Sequence, residues 1–193
     1  MIILDATFLV IFLKSNAFPP KDRDDTPVEK FQERVDALIS DLNASGQVIG
    51  IPTPAFAEVL VKAGSHRLTW VSVLSDRYKF ALLPFDSRAA IEASELIEAV
   101  KKEQKSQPAD TWAKIKFDIQ IVSIAKAENA TAIYADDIGI ERHGKRVRIP
   151  VYRVCDLPVP TPPQEPAPRT VEPVSGSQMP LAGLRDDLPE EPE

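Results

Sequence analysis

Short apolar runs alternate along this chain with longer segments in which apolar residues recur every three or four positions. Ile2 to Leu4, Val48 to Ile51, Phe80 to Leu83, Ala132 to Ala135 and Val151 to Val154 read as short strands, the first and fourth of them as buried parallel ones. Ala6 to Leu13 is apolar on most sides, which predicts a buried helix. Phe31, Val35, Leu38, Ile39 and Leu42 make a helical stripe, with Thr26 as its expected cap and Pro27 at its first position. Thr53-Pro54 opens the helix that contains Glu58, and Leu68 to Leu74 reads as helical or mixed. Asp86 and Ser87 cap a helix carrying Ile91, Ser94, Leu96 and Ile97. A further helix is expected from about Phe117 to Glu128, with Ile121, Ile124 and Ala125 on one face and Asp118 in the first turn. Ile138 to His143 is a short helix or loop. Strands alternating with helices imply βαβ crossovers, and hence a three-layer α/β/α fold around a mostly parallel central sheet of four to five strands.

Two segments depart from this pattern. Lys14 to Pro27 holds Pro19, Pro20 and the charge cluster Lys21-Asp22-Arg23-Asp24-Asp25, and reads as a surface loop or mobile flap. Residues 158–193 hold 10 of the 18 prolines and no aromatic residue. Such a stretch buries too little apolar surface to offset the entropy of ordering. The expected organisation is a folded domain over 1–156 and a proline-rich, acidic, disordered tail over 157–193. With 193 residues and 44% hydrophobic content, one core is the natural outcome.

Charge changes the picture once the tail is separated. The chain carries a formal −6, but the tail sets seven acidic residues against Arg169 and Arg185 alone. The remainder is close to neutral, so the low overall isoelectric point does not argue against a polyanionic partner. A lone cysteine, Cys155, excludes an internal disulfide and suits a reducing compartment. The N-terminal MIILDATFLVIFLK lacks a basic leader, and Asp5 interrupts an apolar stretch too short to span a bilayer. The expectation is a soluble, cytoplasmic protein without a membrane association.

Several chemistries are disfavoured. His66 and His143 lack the spaced partners of a zinc site, and no Gly-x-Ser-x-Gly elbow is present. Neither Gly-x-Gly-x-x-Gly nor a Walker-type loop occurs among the seven glycines. The 7% aromatic content is low for a sugar-binding cleft.

What remains is acidic. Asp5 and Asp136 directly follow strands, and Glu58 and Asp118 stand in helices. Each has an ordinary explanation as a helix cap, a dipole partner, a solvated residue or a turn former. Together they predict one crevice at the carboxyl ends of the strands, where open α/β sheets bind ligands. Gathered carboxylates repel one another unless protons or a divalent cation compensate them.

The ordered set resembles the PIN-domain ribonucleases. Ile2-Ile3-Leu4-Asp5-Ala6-Thr7 is similar to the family's opening strand and Asp, and Ile51 to Val59 to its strand, turn and acidic helix. Lys116-Phe117-Asp118-Ile119 through Ala125 resembles its Asp-led apolar helix, and Thr131 to Asp137 its last strand and terminal Asp. The compact size most resembles the VapC-like toxins of toxin–antitoxin pairs. The resemblance implies a metal-dependent endoribonuclease with Asp5, Glu58, Asp118 and Asp136 as catalytic residues. Mg²⁺ or Mn²⁺ would be held by Asp5, Asp118, Asp136 and Asp137, with Asp136, nearest the strand, as the expected primary ligand of the adjacent pair. Thr7 could hold a ligand water or a phosphate oxygen, or serve its own helix start. Lys116, Arg142, Lys145 and Arg146 are the candidate RNA contacts, the run 142–148 being read as a basic hairpin or loop. An antitoxin partner and a homodimer are implied by the same resemblance. The alternatives are a non-catalytic PIN-like interaction module and a structure-specific DNA nuclease.

Overall fold

A computed structural model describes residues 1–14, 16–75, 80–103 and 109–160. Within the compact unit Met1–Pro160 the strands are β1 (Ile2–Leu4), β2 (Ile49–Pro52), β3 (Phe80–Leu83), β4 (Ala132–Tyr134) and β5 (Val151–Tyr152). The described helices are α1 (Ala6–Leu13), α2 (Phe31–Ala44), α3 (Thr53–Ala63), α4 (Arg67–Leu74), α5 (Ser87–Glu103), α6 (Ala109–Ala127) and α7 (Ile138–Val147). Of the tail expected over 157–193, residues 161–193 lie outside the described residues, and Leu157 at its start is buried in the core.

All five strands are parallel, in the order β3-β2-β1-β4-β5. The chain first moves from β1 to β2 and β3, then crosses back to β4 and β5 on the other side of β1. Because such crossovers are right-handed, reversing direction puts α1–α4 on one face and α5–α7 on the other. The three-layer α/β/α expectation is met. The direction switches between β1 and β4, where Leu4 pairs with Tyr134 and the Asp5 N–H donates to the Tyr134 carbonyl at 3.0 Å. That places the residues after β1 and after β4 side by side at a topological switch point.

Burial follows from sequence. Every residue of β1 and β2 is buried, as continuous apolar strands covered on both faces should be. In α2, Val35, Ile39 and Leu42 form the buried stripe. In α5 the stripe is Ala89, Ala93, Leu96 and Val100, while Ile91 is exposed. α6 is buried over the whole run from Ile121 to Ala125.

Four local expectations need correction. α2 begins at Phe31, behind Lys30 in the left-handed region (φ 50°), and not at Thr26-Pro27. Those residues instead close a small turn, in which one Asp22 carboxylate oxygen accepts from the N–H groups of Asp24 and Thr26. α6 starts at Ala109, two turns before the expected start, so Asp118 sits mid-helix and has no role at a helix terminus. The basic run after residue 141 belongs to α7 as far as Val147, capped by Arg148 in the left-handed region, and is not a hairpin. β5 ends at Tyr152, and Val154–Asp156 forms a 3-10 turn.

The flap expected over Lys14 to Pro27 is tied down where it is described. Arg23 makes two hydrogen bonds to the Asp156 carboxylate at 2.6 and 3.2 Å. The Arg153 guanidinium donates to the Lys21 carbonyl at 2.7 Å, and Val28 is buried in the core. Arg34 also donates to the Leu157 carbonyl. The segment is a strap across the C-terminal end of the domain.

Candidate active site

A crevice of about 460 Å³ opens at the switch point, and its acidic lining is Asp5, Glu58, Asp118, Asp136 and Asp137. Thr7, Lys114, Phe117 and Ile140 complete most of its wall. Four elements deliver the carboxylates: the β1–α1 junction, α3, α6 and the β4–α7 junction.

Asp5 occupies the position before α1 in extended conformation, yet its side chain makes no capping hydrogen bond. It is only 5% exposed. Burial raises its pKa to about 6; the N–H groups of Ala6 and Thr7 oppose the rise, and the charges of Glu58 and Asp137 add to it. Asp118, also 5% exposed, is pushed to about 7, first by burial and then by Asp137, with Asp5 adding and Lys114 and Arg142 opposing. Glu58 is half-exposed and ion-paired with Lys62 one turn on, at 2.7 Å.

The adjacent Asp136 and Asp137 do different work. Asp136 Oδ1 accepts from the Val154 N–H at 3.1 Å and lies 3.5 Å from Nε of the buried Arg153. Its Oδ2 is buried and has no hydrogen-bond partner among the described residues. Burial raises the Asp136 pKa, against the pull of the Val154 N–H and Arg153. Asp137 caps α7, its Oδ1 accepting from the Gly139 N–H at 2.6 Å while Oδ2 accepts from Lys114 at 2.8 Å. Burial alone would raise its pKa; the Lys114 hydrogen bond and the Gly139 and Ile140 N–H groups outweigh that and leave it lowered. The charge of Asp137 acts on both Asp5 and Asp118.

The donor set suits a hard divalent cation. It is all oxygen, it carries mutual repulsion that burial intensifies, and it includes an orphaned buried oxygen on Asp136. Among the described residues no three acidic, His or Cys side chains are grouped closely enough to hold an ion by themselves. That spacing fits an ion that takes one or two carboxylates directly and keeps its waters, as Mg²⁺ does.

Of the remaining sequence candidates, Thr7 lines the crevice, and Arg142 is exposed on α7 within electrostatic reach of Asp118. Lys116 is exposed on α6 and does not line the crevice; its ammonium stands over the Trp112 ring. Lys145 is paired with Glu141 at 2.7 Å, and Arg146 is half-buried and partnered. Neither lines the crevice.

Gly139 and Arg153 were not singled out from sequence, whereas Lys114 is one of the basic residues that flank the acidic elements and could position a phosphate. Lys114 had a readable signal, since it stands four residues before Asp118 and so shares its helix face. Gly139 is required by proximity, and Arg153 comes from the far end of the chain; neither left a mark in the sequence.

Residues 23–145 match the PIN domain family. The chain belongs to that family. PIN domains are generally nucleases. No curated protein matches the chain in sequence. Among solved structures it is similar to VapBC2 from Rickettsia felis, bound to a DNA fragment from its promoter. That likeness has a TM-score of 0.53 and 16% identity, over 79% of this PIN domain chain and 98% of the other. It is similar also to DNA-bound VapBC from Salmonella typhimurium (TM-score 0.51, 13% identity, 80% and 98% covered). A third likeness is to FitAB bound to an IR36 DNA fragment (TM-score 0.53, 18% identity, 82% and 99% covered). At these identities the likeness speaks to the fold, and the PIN domain topology is shared along nearly the whole of each neighbour.

Proposed function

We propose that this PIN domain is a metal-dependent endoribonuclease that acts as the toxin of a toxin–antitoxin pair. The observation that carries the reading is the convergence of Asp5, Glu58, Asp118 and the Asp136-Asp137 pair on one crevice at the switch point of a PIN fold. When bound, Mg²⁺ or Mn²⁺ supplies activation of a water and charge compensation on the phosphodiester. Asp5 and Asp118 would hold the cation directly, since their raised pKa values express the compensation they lack without it. Asp137, whose charge reaches both, would act through water, as would Asp136 Oδ2 and Glu58.

The chain's own groups then divide the work. Lys114 fixes Asp137 and shares the helix face of Asp118, so it orients one carboxylate while screening another. The Thr7 hydroxyl holds a water or a phosphate oxygen at the mouth of the crevice. Arg142 positions a phosphate of the substrate strand beside Asp118. Family membership supports nuclease chemistry, and the PIN complexes of similar fold support an antitoxin partner. RNA as substrate, a homodimer and a cytoplasmic setting are part of the same proposal. Among the described residues no helix is long and apolar enough to cross a membrane.

The decisive experiment offers purified protein matched RNA and DNA oligonucleotides with Mg²⁺ or Mn²⁺. Cleavage of RNA, its loss in EDTA and its loss in Asp5→Asn are expected. Undiminished metal-dependent cleavage by an Asp5→Asn, Asp118→Asn double variant would refute the assignment. Expression alone should arrest growth, and co-expression of an antitoxin encoded beside it should restore it.

A further inference from the structure

The acidic crevice does not end at Thr7. The same threonine lines a second depression of about 360 Å³, floored by Val10, Ile11 and Ala17 and rimmed by Lys14, Phe18 and Lys62. Lys14 and Lys62 in turn line a third, which reaches Asn16, His66 and Trp70. The three depressions adjoin through these shared side chains, and the groove they make together turns from acidic to basic and apolar with distance from the carboxylates.

Two features bear on what fits it. Phe18 is 90% exposed, an aromatic ring held at the rim of an apolar floor with no packing role in the core. Lys62 stands at the border, its ammonium on Glu58 of the acidic crevice at 2.7 Å. An ammonium has three donors, so the Glu58 contact leaves two for another acceptor. A polyanionic strand entering a nest of carboxylates needs cations just beyond them, and bases beside its phosphates need an apolar or aromatic surface. The groove offers both, next to the centre where a strand would be cut.

We propose that this groove is a subsite for single-stranded RNA flanking the scissile phosphate, with Lys14 and Lys62 on backbone phosphates and a nucleobase stacked on Phe18. The inference rests on the nuclease reading above and names where its substrate lies. The phosphate contacts position the strand, and the stacking tolerates any base, because every base has a π-face. The groove thus favours unpaired over paired RNA without reading sequence.

The test is anisotropy of a labelled single-stranded RNA with the full chain in EDTA, so that binding is read without cleavage. Phe18→Ala should weaken binding about fivefold or more, the usual scale of one lost stacking contact, and removing the base at successive positions of the RNA should reproduce that loss at one position. Lys14→Gln should flatten the salt dependence of binding by about 0.7 in the slope of log K against log salt. Thermal melting of both variants should match the wild type, since both side chains are exposed. RNA binding indifferent to both substitutions and to abasic positions would overturn the subsite even if cleavage is intact. So would RNA binding left whole by Phe18→Ala while the same change abolishes binding of an acidic amphipathic peptide, which would assign the groove to a protein partner. Binding that follows the expected pattern in a chain that never cleaves would keep the groove and retire the nuclease.

Discussion

A β-carbon at Gly139 would stand 2.1 Å from Oδ2 of Asp118, so the carboxylate in the middle of α6 occupies the space a side chain on α7 would need. The same glycine donates its N–H to Asp137, so the first turn of α7 meets both carboxylates through backbone at this position. Two carboxylates from different elements are brought together because one residue between them has no side chain.

Gly139→Ala is therefore expected to displace Asp118 or lift the start of α7. Overpacking of this kind costs about 1–3 kcal/mol. Cleavage should fall at least tenfold, beyond what the stability loss explains; a variant with a lower melting temperature and full activity per folded molecule would contradict this.

The metal-free protein should lose stability as pH rises from about 4 to 7. Asp5 and Asp118 have folded pKa values of about 6 and about 7, above the unfolded value, so the native state binds more protons across that window. Stability then falls with pH, in the sense opposite to a salt-bridged carboxylate. For Asp5 alone the full effect is at most about 3 kcal/mol. Melting curves in EDTA between pH 4.5 and 7.5 should show the decline, and Asp5→Asn should flatten it and melt higher at pH 7.5. Mn²⁺ should restore the wild type and not the variant.

Asp136 and Asp137 should separate by assay. Asp137→Asn keeps a good helix cap and removes a charge felt by both Asp5 and Asp118, so Mn²⁺ affinity should drop roughly tenfold with melting nearly unchanged. Asp136→Leu leaves the buried Arg153 without its carboxylate, which costs on the order of 3 kcal/mol, and should lower the melting temperature first. Equal effects of the two on both measurements would show that the pair acts as one unit.

The strap over residues 18–28 should loosen without unfolding the domain. Arg23→Ala breaks a pair whose arginine is exposed to solvent, so global stability should change little. Limited proteolysis should nonetheless cut the strap faster in that variant, while Arg153→Met, which removes the bond to Lys21 and the partner of Asp136, should lower melting as well.

The sequence by itself determined the sheet and the approximate site. Apolar runs as short as Ile2 to Leu4 are unambiguous when both faces of a parallel strand are buried, and a polar residue ending such a run has to emerge at the sheet's carboxyl edge. That placed Asp5 and the Asp136-Asp137 pair, and helical periodicity placed Glu58 and Asp118 on the helices they occupy. What periodicity reports is the direction a side chain faces, and where an element begins is left to its neighbours. Hence α6 starts earlier than its apolar stripe, and Thr26-Pro27 forms a turn held by Asp22 despite its resemblance to a helix start. Only tertiary structure decided which neighbouring aspartate faces Arg153 and which faces Lys114, because those partners come from the turn after β5 and from α6. It also decided that Gly139 lies against Asp118 and that the strap is pinned through Arg153 and Asp156. These contacts join residues from under 20 to more than 130 positions apart, and no local pattern in the sequence records them.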